Sequence, residues 1–146
     1  APWYFGEECC EVLKFFTDLK CALMPYLYAQ ANKVHIEGIP MMRSMMMEFP
    51  GAPSCGYLDR QYMFGDNLLV APVFSEDSTV TFYVPGSGVW TNYIDGEKFQ
   101  GGKWYTRTYG YKSPAASCKT EFHYCGRKGR GTDRLRLWKE CYTKSL

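Results

Sequence analysis

No stretch of this sequence approaches the roughly 18 consecutive apolar residues that a transmembrane helix needs, so no spanning helix is expected. The first residues, APWYFGEECC, have neither the basic start nor the apolar core of a secretory signal, and no targeting to a membrane is expected. A disulfide framework is missing too. The seven cysteines are an odd number, and Cys9, Cys10, Cys21 and Cys55 are scattered through segments that otherwise read as helix and loop. They are read as reduced thiols of a cytoplasmic protein. Histidine is scarce, with two in all. His35 has no His or Cys at ligand spacing and is expected at a solvated helix end. Cys118, His123, Cys125 and Cys141 lie near the basic run Arg127 to Arg136, but neither pair has the two-to-four-residue gap of a zinc knuckle. No metal, cofactor or nucleic-acid partner is therefore expected.

A strong net charge is also absent: the chain carries +2 over 146 residues. The balance is uneven, because residues 1–112 hold nine Lys/Arg against twelve Asp/Glu while residues 113–146 hold eight against three. What is present is an ordinary globular composition, 46% apolar and 17% aromatic, enough for one modest domain.

Val12, Phe16, Leu19, Leu23 and Leu27 recur at three- or four-residue steps, which predicts a long buried helix from about Glu8 to Val34, ending before Gly38. Glu7 and Glu8 suit the positive end of its dipole, and Pro25 removes one backbone donor and should bend it. Ile39 to Phe49 (IPMMRSMMMEF) is almost continuously apolar, as expected of a strand covered on both faces in a parallel sheet. Pro50 to Ser54 reads as loop and Tyr57 to Phe64 as a short helical turn. Asn67 to Phe74 (NLLVAPVF) reads as a second buried strand, with Pro72 forcing its late part to an edge or bulge.

From Ser78 the texture changes. TVTFYV alternates, PGSG and DGE are turn strings, and VWTNYI and KWYTRTYGY are extended and aromatic. Short strands joined by tight turns imply an antiparallel sheet. The expected organisation is an α/β piece over 1–74, the start of a β-sandwich over 75–112, and a tail over 113–146.

Four strings, LKCALMPYLYAQA, GIPMMRSMMMEFP, YLDRQYMFGDNLLVAPVF and VTFYVPGSGVWTNYIDGE, resemble glycoside hydrolase family 31 in wording, order and spacing over residues 1–112. The "DRQYM" string and the Met-rich run before it look more like the α-xylosidase branch than the α-glucosidase branch. The resemblance implies that Glu8 to Val34 is the last helix of a (β/α)8 TIM barrel, that Ile39 to Met47 is its eighth strand, and that a β-sandwich follows. It also implies hydrolysis of α-linked xylosides or glucosides by two aspartates, no cofactor, and a parent enzyme that forms homo-oligomers. Both aspartates belong to blocks upstream of anything in this sequence. A retaining mechanism needs two carboxyl groups about 5 to 5.5 Å apart, so this chain alone is expected to be inert, with no catalytic, cofactor-binding or metal-binding residue of its own.

Other readings of single residues are weighed accordingly. Arg43 and Glu48 resemble a substrate clamp at a strand end, but a buried ion pair is the favoured reading. Met41, Met42, Met45, Met46 and Met47 are assigned to core packing, and Asp59 with Arg60 to a local structural pair. Trp90, Tyr93, Trp104 and Tyr105 are candidates for stacking on sugars, with packing between strands preferred. Rival identities are a non-catalytic carbohydrate-binding module and a basic zinc- or nucleic-acid-binding protein.

The family resemblance ends at Lys112. Back-translated with permitted codons and read one nucleotide later, Ser113 to Cys141 can yield ALPLLVRPNSIIAVGKEEERTDYDYGKN, which resembles the family's continuation. The tail is therefore expected to be a frameshifted segment, disordered or irregular.

Overall fold

The computed structural model describes residues 1–111 and the backbone of a strand at Ala115–Lys119. One compact unit contains residues 1–39 and a second runs Pro40–Phe122.

In the first unit a single 3-10 turn, Pro2–Phe5, leads into helix α1, Glu7–Glu37. Two acidic residues open it, and it continues through Pro25. Gly38 closes it in the left-handed conformation at φ 71°, its N–H donating to the Val34 carbonyl at 2.9 Å, the geometry only glycine adopts without strain. The expected apolar face forms, but it is half-buried: Tyr26 and Gln30 are the residues of α1 that are fully buried. One helix presents a stripe, and covering it completely takes elements on more than one side.

The second unit holds the strands β1 (Met42–Ser44), β2 (Tyr62–Phe64), β3 (Leu68–Ala71), β4 (Thr79–Val84), β5 (Val89–Asn92), β6 (Lys98–Gln100), β7 (Lys103–Thr108) and β8 (Ala115–Lys119). Six of them form one sheet in the order β1-β2-β3-β8-β5-β6, and β4 pairs with β7 in a second. Every pairing is antiparallel. The two sheets share a core through aromatic contacts. Phe82 of β4 meets Phe99 of β6 edge-on at 5.3 Å, and Tyr105 of β7 meets the same ring at 4.9 Å. Met63, Leu69, Val84 and Trp90 complete the apolar interior. The alternation of TVTFYV is visible as burial of Val80, Phe82 and Val84.

The structure departs from expectation in four places. Ile39–Met47 is not a long strand of a parallel sheet: only Met42–Ser44 is extended, antiparallel to β2, and Met45–Glu48 forms a helical turn, α2. The Ser44 hydroxyl accepts from the Met47 N–H at 3.3 Å, so a polar residue inside the apolar run caps a turn and ends the strand. Second, the expected helical turn at Tyr57 to Phe64 falls earlier, as the 3-10 turn Pro53–Tyr57, and Tyr62–Phe64 is strand. Third, the sheet crosses the expected boundary at residue 74, because β2 and β3 belong to the same sheet as β5 and β6. Fourth, the tail is not irregular throughout. Ala115–Lys119 lies between β3 and β5, where an extended backbone satisfies N–H and C=O groups on both neighbours whatever its side chains. The rest of the tail expectation lies outside the described residues.

Candidate functional site

Two places bring together polar or aromatic side chains. The first centres on Arg43. It stands on the buried face of β1, beside Met63 of β2, and is 5% exposed. Its Nε donates to Glu48 Oε2 at 2.8 Å, and one terminal nitrogen donates to Asp66 Oδ1 and to the Gly65 carbonyl, both at 3.0 Å. Burial opposes the guanidinium charge, but hydrogen bonds to Asp66 and Glu48, reinforced by their charges, outweigh it and raise the pKa. The α2 turn brings Glu48 back to β1, and the Gly65 turn at the end of β2 supplies Asp66. The Arg43–Glu48 ion pair read from sequence is present. Asp66 is the member that sequence reasoning missed, since no spacing links it to Arg43 23 residues away. Chemically the cluster is a tie between three chain segments, with both carboxylates bonded to the same cation.

The second place is a groove of about 310 Å³ lined by Tyr57, Asp59, Arg60, Phe74, Thr79, Thr81 and Trp104, among others. One wall is fixed by Gln61. Its buried side-chain amide donates to the Tyr83 carbonyl at 2.8 Å and accepts from the Tyr83 N–H at 2.7 Å, which fastens the segment before β2 to β4. The floor is the outward face of the β4–β7 pair, where Thr81 and Thr106 share a hydroxyl hydrogen bond at 2.9 Å and Thr79 faces Thr108 at 3.3 Å. Trp104 stands at the end of that row, braced by Tyr83 at 5.4 Å across the strands.

The remaining sequence candidates disperse. Trp90 is buried, its indole N–H donating to the Pro85 carbonyl at 3.2 Å. Tyr105 packs into the core with its hydroxyl bonded to the backbone of Gln100. Tyr93 is half-buried, so Trp104 alone of the four is an exposed aromatic. Asp59 and Arg60 are both exposed, and among the described residues they form no ion pair with each other. The core assignment of the methionines holds for Met45; Met42 is exposed on the face of β1 opposite Arg43, and Met46 and Met47 are exposed on the α2 turn. His35 is in the last turn of α1 and exposed. Cys9, Cys10, Cys21 and Cys55 are free thiols, and burial pushes the Cys55 thiol pKa up. Among the described residues no group of three or more His, Cys, Asp or Glu is placed to hold a metal, and no helix is long and apolar enough to cross a membrane. His123, Cys125 and Cys141 lie outside the described residues, as does the side chain of Cys118.

Residues 38–126 match the glycosyl hydrolase family 31 C-terminal domain. That match begins within two residues of the second compact unit and continues past Lys112. An α-xylosidase from Emericella nidulans is 50% identical over 118 residues, which cover 76% of this chain and 15% of the relative. Among solved structures, a family 31 α-xylosidase from a soil metagenome, complexed with xylose, superposes with a TM-score of 0.79 at 25% identity, over 84% of this chain and 18% of its own. A family 31 dextranase from Flavobacterium johnsoniae, complexed with isomaltotriose, gives a TM-score of 0.77 at 32% identity, over 82% of this chain and 15% of its own. The chain thus spans less than a fifth of the length of each of these three proteins.

Proposed function

Because the chain belongs to glycosyl hydrolase family 31, we propose that it is the carboxyl-terminal part of a retaining α-glycosidase that cleaves α-xylosides or related α-glucosides. The observation that carries this reading is the agreement of two boundaries, the family match at 38–126 and the compact unit at Pro40–Phe122. The 50% identity to an α-xylosidase favours the xyloside. On this reading α1 is a helix from the end of the catalytic barrel, and the antiparallel unit is the domain that follows it. The two catalytic aspartates belong to the upstream barrel. Neither Glu48 nor Asp66 replaces them, since both are tied to Arg43. The parent enzyme is placed in the cytoplasm, in keeping with the free thiols, and as a homo-oligomer, in keeping with the family resemblance.

Hydrolysis of p-nitrophenyl α-xyloside and α-glucoside tests the proposal. The isolated 146-residue chain is expected to give no turnover. A family 31 α-xylosidase in which residues 1–111 of this chain replace the matching segment is expected to stay active. A folded but inactive chimera would overturn the assignment. Turnover that follows the isolated chain through repurification would mean that it carries its own catalytic carboxylate, with Glu48 the first to mutate.

A further inference from the structure

We propose that the groove between Tyr57 and Trp104 is a sugar-binding subsite, separate from catalysis, for one or two units of an α-linked oligosaccharide. Taking the ligand to be α-linked rests on the function proposed above; the groove itself rests on its own geometry.

Three aromatic side chains rim it, and they are exposed far beyond ordinary surface packing: Tyr57 by 92%, Phe74 by 70% and Trp104 by 53%. A sugar ring presents apolar C–H faces and a polar hydroxyl edge. It is held by flat aromatic faces combined with hydrogen-bonding groups at the side, and Tyr and Trp supply both an apolar body and a polar tip. The groove offers that combination. Asp59 and Arg60 are exposed on the wall that carries Tyr57, and among the described residues no hydrogen bond or ion pair engages either charge. One accepts and the other donates to hydroxyl groups in a bidentate manner. The floor adds the hydroxyls of Thr79 and Thr81.

The groove is also built in advance, which reduces the ordering cost of binding. Gln61 fastens the Tyr57 wall to β4 through two hydrogen bonds between its side-chain amide and the Tyr83 backbone, and the Tyr83 ring braces that of Trp104. A volume of about 310 Å³ sits at the lower end of the range for small-ligand sites, which suits one or two sugar units and not a long chain.

Titration of the full 146-residue chain with isomaltotriose, followed by tryptophan fluorescence and by calorimetry, tests this. The expected result is saturable binding with a Kd on the order of millimolar, weakened about tenfold or more by Tyr57→Ala. Trp104→Phe is expected to keep the calorimetric binding, because it retains a ring, and to lose the fluorescence change. Tyr57 is almost wholly exposed, so its truncation leaves the fold intact. Absence of saturable binding, or binding unchanged by Tyr57→Ala, overturns the subsite. Cellotriose, a β-linked control, separates the two readings. Binding of cellotriose in place of isomaltotriose at the Tyr57 wall would overturn the α-linked ligand and count against the α-glycosidase reading. No binding of either sugar while the chimeric enzyme remains active would overturn the groove alone.

Discussion

Arg43 and Tyr109 show opposite treatments of a buried polar group. Arg43 is buried with every strong contact satisfied, so deleting it leaves Glu48 and Asp66 without their cation. Arg43→Ala is expected to lower stability by about 3 to 5 kcal/mol, measured by urea unfolding with the wild-type chain alongside. Arg43→Met, which refills the volume without charge, is expected to cost less. Tyr109 is 7% exposed and its hydroxyl has no partner among the described residues. Burial, together with the nearby charges of Glu97 and Asp95, pushes its pKa up to about 12, against an ordinary value near 10. The folded form therefore keeps the proton after the unfolded chain has begun to lose it. Stability is unaffected below pH of about 10 and falls as pH rises from there through about 12. Tyr109→Phe is expected to remove that alkaline loss and to be neutral or stabilising by about 1 kcal/mol at neutral pH, since it deletes an unsatisfied donor. A Tyr109→Phe chain that unfolds with the same alkaline dependence as wild type would show that another group is responsible.

At the scale of elements, the strands bounded by turn residues or proline were legible. TVTFYV and VWTN became β4 and β5, and NLLVAPVF became β3, which stops at Ala71 before Pro72 as a missing N–H requires. The helix was legible because its stripe persists over about four turns and Gly38 marks its end. Ile39–Met47 misled because an unbroken apolar run carries no period: strand and turn look alike until Ser44 is seen to cap α2. The groove was the least legible feature. Trp104 stood out by type, but Tyr57 and Phe74 reach it only through tertiary folding. Strand β8 was invisible for another reason, since its place depends on backbone groups. Ser117 is opposite Leu69 of β3 on one side and Asn92 of β5 on the other. Ser117→Pro removes a backbone donor from an interior strand. The expected effect is loss of the cooperative thermal transition of the second unit, followed by near-UV circular dichroism, with the helical far-UV signal of α1 retained. If the near-UV transition survives unchanged, β8 does not hold the sheet together.

For the whole molecule, the question is whether the last residues were selected to complete this sheet. From 113 to 146 eight basic residues face three acidic ones, with no sustained alternation. Back-translated with permitted codons and read one nucleotide later, the same stretch can yield ALPLLVRPNSIIAVGKEEERTDYDYGKN, whose apolar opening suits a strand between β3 and β5. Natural sequences agree with their fold at each local level, so the off-frame reading is the one expected to stabilise. The family match continues to residue 126, past the point where the off-frame reading begins. Replacing residues 113–141 with the off-frame sequence is expected to raise the urea midpoint and steepen the transition, because a selected strand buries more surface on folding. The DNA encoding this segment provides an independent measurement: a relative nearly identical through Lys112 is expected to carry one base fewer near that codon. If the replaced chain is less stable than the original, and close relatives read the tail as it stands, then the tail is native and its basic residues belong to the protein's surface.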